Sequence, residues 1–324
     1  MAADPHPPAG PFRLPDGTVI RPFSERSELE ECVELQRRVW GEGFADVASP
    51  AIVKIVQTVG GVAAGAFDSG GPMLGFVFGI TGLADGEPVH WSHMLAVLPE
   101  ARGRDLGYQL KLYQRRRLLG LGVERVLWTY DPLVAKNAYL NVVRLGARPL
   151  CYVRDYYGEG GDNALSAGIG TDRFIVEWAI GDERVARRLE GGGAEGGAGE
   201  APEAYRAAPV ANVREGADPG GGGGEPVVAE PPVAPVARVE VPEDVQELRR
   251  ASPELAALWR ASTRRAFESL FEREYQVVGF YRESPGQAED PLKRPSSDSA
   301  GEGGRQGRSR GGRAFYVLRG EEGR

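Results

Sequence analysis

The sequence predicts a mixed α/β fold, and three observations predict it. Segments with strand character take turns with segments of helical period between residues 18 and 180. Glycine closes the helical segments, at Gly41, Gly120 and Gly146. A polar, glycine-rich interval then divides this region from a shorter second run of strand and helix patterns.

Thr18 to Phe23 reads as a short strand after the turn signal Asp16-Gly17. A helix is expected from Ser27 as N-cap, with Glu28, Glu30 and Glu31 in its first turn and Leu29, Cys32, Val33, Gln36 and Trp40 down one side. A second helix starts at Ser49-Pro50, where proline suits the first helical position, and carries Ile52, Val53, Ile55 and Val56. Gly61 to Phe67 and Met73 to Thr81 form a hairpin about Asp68-Ser69-Gly70-Gly71-Pro72. Val89 to Val97 is the next strand, followed by a helix from about Gly103 to Leu119. Val123 to Asp131 is a strand and about Leu133 to Leu145 a helix. Arg148 to Tyr157 and Thr171 to Ile180 close the region as two strands joined by the loop 158–170.

From Glu190 to about Pro235, glycine runs and an acidic excess leave too little apolar area to offset the entropy of ordering. Order is expected again at Val236 to Val241 as a strand and Glu243 to Phe271 as helix, with Pro253 opening a second helix after Ser252. Tyr275 to Tyr281 and Ala314 to Leu318 are strands. This second run repeats the late part of the first, a strand, a helix and a long-looped hairpin. The expected organisation is a disordered N-terminus over 1–15, a main domain over 16–185 and a flexible linker over 186–235. A small C-terminal α/β module over 236–324 follows, with a low-complexity loop at 284–313.

The totals narrow the function. A net charge of −7 argues against non-specific nucleic-acid binding. Two cysteines, Cys32 and Cys151, make neither a disulfide framework nor a thiolate metal site and fit a reducing compartment. No apolar run approaches the roughly 18 residues of a membrane span, and Met1 to Pro11 lacks a signal pattern. A cytoplasmic protein with no membrane, metal or nucleic-acid partner is the expectation.

The informative stretch runs from His90 to Gly107. An apolar run ends at Pro99, then Arg102, Gly103 and Arg104 precede a helical pattern through Tyr108, Leu110, Lys111, Tyr113 and Gln114. A helix N-terminus offers unpaired N–H groups and the positive end of the macrodipole, and two arginines add full charge. Such a site suits a phosphate. Leu95-Ala96-Val97-Leu98-Pro99 followed by Arg102-Gly103-Arg104-Asp105-Leu106-Gly107 resembles the acetyl-CoA signature of the GNAT acyltransferases over roughly residues 18 to 180. Trp128-Thr129-Tyr130-Asp131-Pro132-Leu133, Asn137, Asn141, Leu145-Gly146-Ala147, Tyr156-Tyr157-Gly158 and Thr171-Asp172-Arg173 look like a bacterial branch of that family with a C-terminal extension.

The resemblance implies a GNAT-like mixed sheet, splayed where its fourth and fifth strands part and flanked by helices, with acetyl-CoA or another acyl-CoA as cosubstrate. It implies cofactor contacts from Leu95, Ala96, Val97, Arg102, Gly103, Arg104, Asp105, Leu106, Gly107 and Tyr108. Asp105 stands where that loop usually has its first glycine; aspartate tolerates left-handed angles, but its carboxylate would stand near a pyrophosphate. His93 matches a strand histidine of amine-acetylating members and could serve as general base, because a free amine must attack the thioester; the alternative is a packed histidine. His90, three residues away, faces the other side of a strand, so the two cannot share a metal. The family's usual tyrosine acid falls at Val142, leaving Tyr139 or Tyr130 as substitutes or as core residues. Asp131 could hold a substrate amine or cap a helix, and Asn137 and Asn141, one α-turn apart, could meet pantetheine amides or solvent. Tyr156, Tyr157 and Asp172 border the last hairpin as substrate contacts or as turn structure. The leading expectation is an N-acyltransferase acting on a small-molecule or protein amine; the alternative is a non-catalytic acyl-CoA-binding module. A C-terminal module that mediates a homodimer is the third expectation.

Overall fold

The structure, a computed structural model, describes residues 10–69, 71–158, 169–191, 202–212, 214–215, 224–227, 230, 232–283 and 313–320. They fall into two compact units, 1–132 with 136–199, and 133–135 with 200–324.

The first unit is built on an eight-stranded mixed sheet of order β1-β2-β3-β4-β5-β6-β8-β7. Its strands are β1 (Phe12–Arg13), β2 (Val19–Pro22), β3 (Val62–Phe67), β4 (Met73–Ala84), β5 (Glu87–Val97), β6 (Arg125–Tyr130), β7 (Arg148–Val153) and β8 (Arg173–Ala179). Every neighbouring pair is antiparallel except β5 and β6. Helices α1 (Arg26–Trp40) and α2 (Pro50–Thr58) bury Leu29, Cys32, Leu35, Val53 and Val56 against Phe76, Phe78, Met94 and Ala96. The buried face of helix α3 (Leu106–Leu119) carries Leu110, Tyr113 and Leu118.

Four local features depart from the sequence reading. Helix α1 starts at Arg26 rather than after Ser27, because the Glu28 carboxylate turns back to accept the amides of Ser24 at 2.7 Å and Glu25 at 3.3 Å. Strands β4 and β5 form one long hairpin about Asp85-Gly86, both at positive φ (54° and 83°), the arrangement of a type I′ turn. The helix expected over Leu133 to Leu145 is a short α-helix, α4 (Ala135–Ala138), that continues as a π-helix over Tyr139–Arg144. Its end is tied down by α5 (Glu183–Glu190), which runs past the expected domain boundary at 185: Arg188 donates to the Val143 carbonyl at 2.7 Å and Arg184 to that of Gly146 at 3.0 Å. These contacts satisfy carbonyls that a helix C-terminus leaves orphaned.

The second unit has a three-stranded antiparallel sheet of order β11-β13-β12. Helix α6 (Glu203–Arg206) and the two-residue strands β9 (Arg214–Glu215) and β10 (Glu225–Pro226) precede β11 (Val236–Pro242), helices α7 (Val245–Ala251) and α8 (Pro253–Glu272), β12 (Gln276–Glu283) and β13 (Arg313–Arg319). Pro253 does open a separate helix, capped by the Ser252 hydroxyl accepting the Leu255 amide at 3.2 Å. Much of the stretch expected as linker is thus part of this unit. Residues 209–211 lie parallel to β11 through Arg238, whose amide donates to Pro209 at 2.8 Å and whose carbonyl accepts from Ala211 at 2.7 Å. Buried Ala208, Ala211 and Asn212 hold them there; three short apolar or amide side chains among alanines and a proline give no periodic signal. The N-terminus expected to be disordered over 1–15 is described from residue 10, where Phe12–Arg13 pair with Val19 and Ile20 as β1, and the loop expected over 284–313 ends at Arg313, the first residue of β13; residues 1–9 and 284–312 lie outside the described residues. The order β11-β13-β12 repeats β6-β8-β7, as the sequence pattern suggested. Among the described residues no helix is long and apolar enough to cross a membrane.

Candidate functional site

The parallel ladder between β5 and β6 is three pairs long: Val89 with Arg125, His90 with Val126 and Trp91 with Leu127. Beyond it β5 runs on to Val97 and β6 to Tyr130 without pairing, which opens a fork. A bulge marks the parting. Phe78 of β4 pairs with Met94 and Ile80 with Trp91, so Ser92 and His93 together oppose Gly79. Gly79 has to be glycine there, since a Cβ would lie 2.3 Å from His90 Nε2 and 2.6 Å from the Trp91 carbonyl. The Leu98 amide donates to Leu74 at 2.9 Å; alternation turns Ala96 and Met94 toward β4 as well. The backbone groups of Leu95 and Val97 are left facing the fork, whereas those of Ala96 are not.

At the end of β5, a 3₁₀ turn (Pro99–Ala101) leads through Arg102 to Asp105 into α3. Gly103 and Asp105 have φ of +84° and +57°. Asp105 thereby adopts the left-handed angles a glycine would take more easily. Its carbonyl accepts Tyr108 at 3.1 Å and Gln109 at 3.2 Å, but among the described residues no acceptor takes the amides of Arg104, Asp105, Leu106 or Gly107. Helix α3 begins at Leu106, not Gly103, and presents these donors together with its dipole. The Asp105 carboxylate is held by Arg144 from the π-helix in a bidentate pair of 2.6 and 3.0 Å, and the same guanidinium lies 3.8 Å from the centre of the Tyr108 ring. Neutralised this way, Asp105 does not set an unpaired anion beside the free amides.

The two loop arginines differ. Arg104 is tied to the β1–β2 turn, bonding Asp16 at 2.9 Å and the Thr18 hydroxyl at 2.7 Å, and to Asp68 of the β3–β4 turn at 3.4 Å, so only its backbone is left for a ligand. The Thr18 amide and hydroxyl, with Arg104, hold the Asp16 carboxyl down at about 2. Arg102 is exposed, and its guanidinium has no ion pair among the described residues.

A buried polar cluster that the sequence reading passed over lies at the root of the fork. Lys111 donates to the Ser92 hydroxyl at 2.8 Å and to Gln114 Oε1 at 3.3 Å, and its ammonium sits 3.8 Å from the centre of the Trp128 ring. Ser92 donates to Gln114 Oε1 at 3.0 Å, Gln114 Nε2 meets His90 Nε2 at 3.0 Å, and His90 Nδ1 meets the Thr81 hydroxyl at 2.9 Å. Burial pushes the His90 imidazole down to about 3 and lowers the Lys111 pKa from its ordinary value. The available signal was a lysine and a glutamine on the buried face of α3.

Other expected site residues are spread around this fork. His93 is exposed at the bulge, its ring edge-on to Phe78 at 6.0 Å. The packing around it lowers its pKa, and the Asp46 carboxylate opposes that. His90, on the other face, is structural. Tyr130 is buried against Phe174 at 5.7 Å, Tyr139 is half-buried on the π-helix, and Val142 is buried. Asn137 is half-buried and Asn141 buried. Asp131 pairs with Arg173 at 3.8 Å rather than standing free for a substrate amine. Tyr156 and Tyr157 are exposed and packed edge-on at 4.8 Å, with the Tyr157 hydroxyl 3.2 Å from Thr129 on β6. Asp172, expected among the substrate contacts, is fully buried; it takes the Tyr152 hydroxyl and, at 3.0 Å, the Asp155 amide, which fixes a turn.

No protein-family profile and no curated protein matches the sequence. Among solved structures, the chain is similar to the ribosomal-protein-S18-alanine N-acetyltransferase of Escherichia coli, at 20% identity and a TM-score of 0.38 over 50% of this chain and 94% of that one. It is similar to an aminoglycoside 6'-acetyltransferase of type Ii at 19% identity and 0.39, over 50% and 96%. It is also similar to Naa20 of Chaetomium thermophilum bound to a bisubstrate analogue, at 15% identity and 0.41, over 52% and 89%. The similar solved structures are GNAT-family acetyltransferases.

Proposed function

We propose that this chain is an acyl-CoA-dependent N-acyltransferase that moves an acetyl group from acetyl-CoA to a primary amine of a small molecule or protein. The observation that carries the reading is the fork between β5 and β6 with the free amides of residues 104–107 at its mouth. Those amides, the α3 dipole and the exposed Arg102 suit a pyrophosphate. The fork then takes the extended pantetheine arm, and the amides of Leu95 and Val97, fixed on a paired strand, meet the thioester oxygen as charge develops on it. The attacking amine must be neutral. His93, at the bulge and with its pKa lowered, is unprotonated at neutral pH and accepts the proton directly or through water. Tyr156, Tyr157 and Thr129 on the rim are placed to meet the acceptor, while Asp131 and Asp172 hold the walls.

The test is thiol release from acetyl-CoA across a panel of small amines and peptide N-termini, with His93→Ala alongside. Turnover that falls about 100-fold in the variant, the usual scale for loss of a general base, supports the assignment. Saturable acetyl-CoA binding without turnover on any amine would leave a binding module instead.

A further inference from the structure

The donors and acceptors around Lys111 determine its protonation state. Thr81 donates its hydroxyl hydrogen to the Gly60 carbonyl at 3.0 Å, so the 2.9 Å bond to His90 must come from an Nδ1–H. His90 Nε2 is then an acceptor, taken by the Gln114 amide at 3.0 Å, and the imidazole is neutral. Gln114 Oε1 accepts the Ser92 hydroxyl, which leaves the Ser92 lone pairs facing Lys111. Three acceptors therefore surround Nζ, namely Ser92 Oγ, Gln114 Oε1 and the face of the Trp128 ring. Three acceptors suit an ammonium with three hydrogens; a neutral amine would turn its lone pair on one of them. Burial works against the charge, and the three acceptors work for it. Lys111 is 4% exposed, and among the described residues no carboxylate pairs with it.

Its position gives this charge a use. Trp91 and Leu127 are the last paired residues of the parallel ladder, so Ser92 and Trp128 are the first residues past the parting of the strands. Lys111 reaches from α3 to both. A buried cation without a counter-ion destabilises the folded chain, and a site where negative charge develops during reaction is where such a cation is useful. We propose that Lys111 is kept as an ammonium at the root of the fork to stabilise the thiolate that leaves when the acyl group is transferred. The proposal rests on the acyl-CoA reading given above. In that step the amine nitrogen bonds to the carbonyl carbon, the carbon–sulfur bond breaks and its electron pair goes to sulfur. The amine's proton goes to His93 or water. Lys111 keeps its own proton and acts through charge.

The experiment titrates the thiol of coenzyme A bound to the full chain, followed by thiolate ultraviolet absorbance after subtraction of ligand-free protein. Wild type is compared with Lys111→Met and Lys111→Gln. In wild type the bound thiol should ionise about one pH unit or more below the free thiol, the scale of an opposite charge close by. Both variants should bind coenzyme A and lose that shift. A wild-type thiol that ionises at or above the free value overturns the proposal whether or not the variants fold, and so does a shift that persists in either folded variant. Failure of wild type to bind coenzyme A at all overturns the acyl-CoA reading first, and this proposal with it.

Discussion

Strand β5 beside β6 in the first unit, and residues 209–211 beside β11 in the second, hold the same place in the same topology: each runs parallel to the first strand of a set ordered first, third, second. The two pairs part from their neighbours differently. In the first unit Lys111 stands between Ser92 and Trp128, and the strands diverge around it. In the second, Asn212 closes the seam. Its side chain donates to the Glu240 carbonyl and accepts the Glu240 amide, both at 2.8 Å, so one amide group imitates the next step of the ladder. The Glu240 carboxylate is in turn held by Arg214 and by Arg313 at 2.8 Å. In this chain the topology opens as a fork where the seam is left unfilled, and there a helix N-terminus follows the leading strand. No helix like α3 follows residue 212 among the described residues.

The largest effect expected from breaking this contrast concerns the mouth of the fork. Arg144→Ala leaves the Asp105 carboxylate unneutralised beside the free amides and should weaken acetyl-CoA binding by about tenfold or more, equivalent to about 1.4 kcal/mol. Adding Asp105→Gly, which the φ of +57° accommodates, should restore affinity to within about threefold. Titration calorimetry on the single and double variants checks both.

A second effect, on stability and not on affinity, belongs to the closed seam. Asn212→Leu strips the Glu240 amide and carbonyl of their buried partner and should lower stability by about 2 kcal/mol in denaturant unfolding of the full chain. Acetyl-CoA affinity should not change, because Asn212 and the fork belong to different units.

The third is a change in pH dependence. Burial lowers the Lys111 pKa below its ordinary value in the folded chain while its three acceptors hold the proton on, so wherever the folded chain has lost that proton and the unfolded chain still binds it, stability rises with pH. Lys111→Met should lack that rise, and wild type should gain on it as pH climbs toward 10 in chemical unfolding. Equal slopes for the two proteins would mean that Lys111 ionises as it does in water.

Much of the first unit was legible because its apolar runs alternate cleanly and glycines close its helices. Val126, Trp128 and Tyr130 are buried on alternate positions of β6 as their pattern implied. The β4–β5 hairpin turns on Asp85-Gly86, a strong turn signal, but Gly82 to Pro88 around it carry no apolar alternation that extends the strands to the turn. The π-helix was unreadable: no residue type between Tyr139 and Arg144 marks it, and it is fixed by α5 donating to its last carbonyls. At the site, the loop and its glycine were visible as local sequence, but the partners that decide their chemistry are remote. Asp105 meets Arg144, 39 positions away, and Arg104 meets Asp16, 88 away. Lys111 was hidden in a helical pattern because a buried lysine looks like a surface one until the fold brings Ser92 and Trp128 to it.

The central claim is that the open fork of the first unit binds acyl-CoA. Calorimetric titration of acetyl-CoA into the full chain tests it most directly, with Arg102→Glu as the control at the fork's mouth. The account predicts one equivalent bound per chain and an affinity reduced about tenfold or more by the charge reversal. No heat of binding at millimolar acetyl-CoA, or binding indifferent to Arg102→Glu and to Arg144→Ala alike, would contradict it.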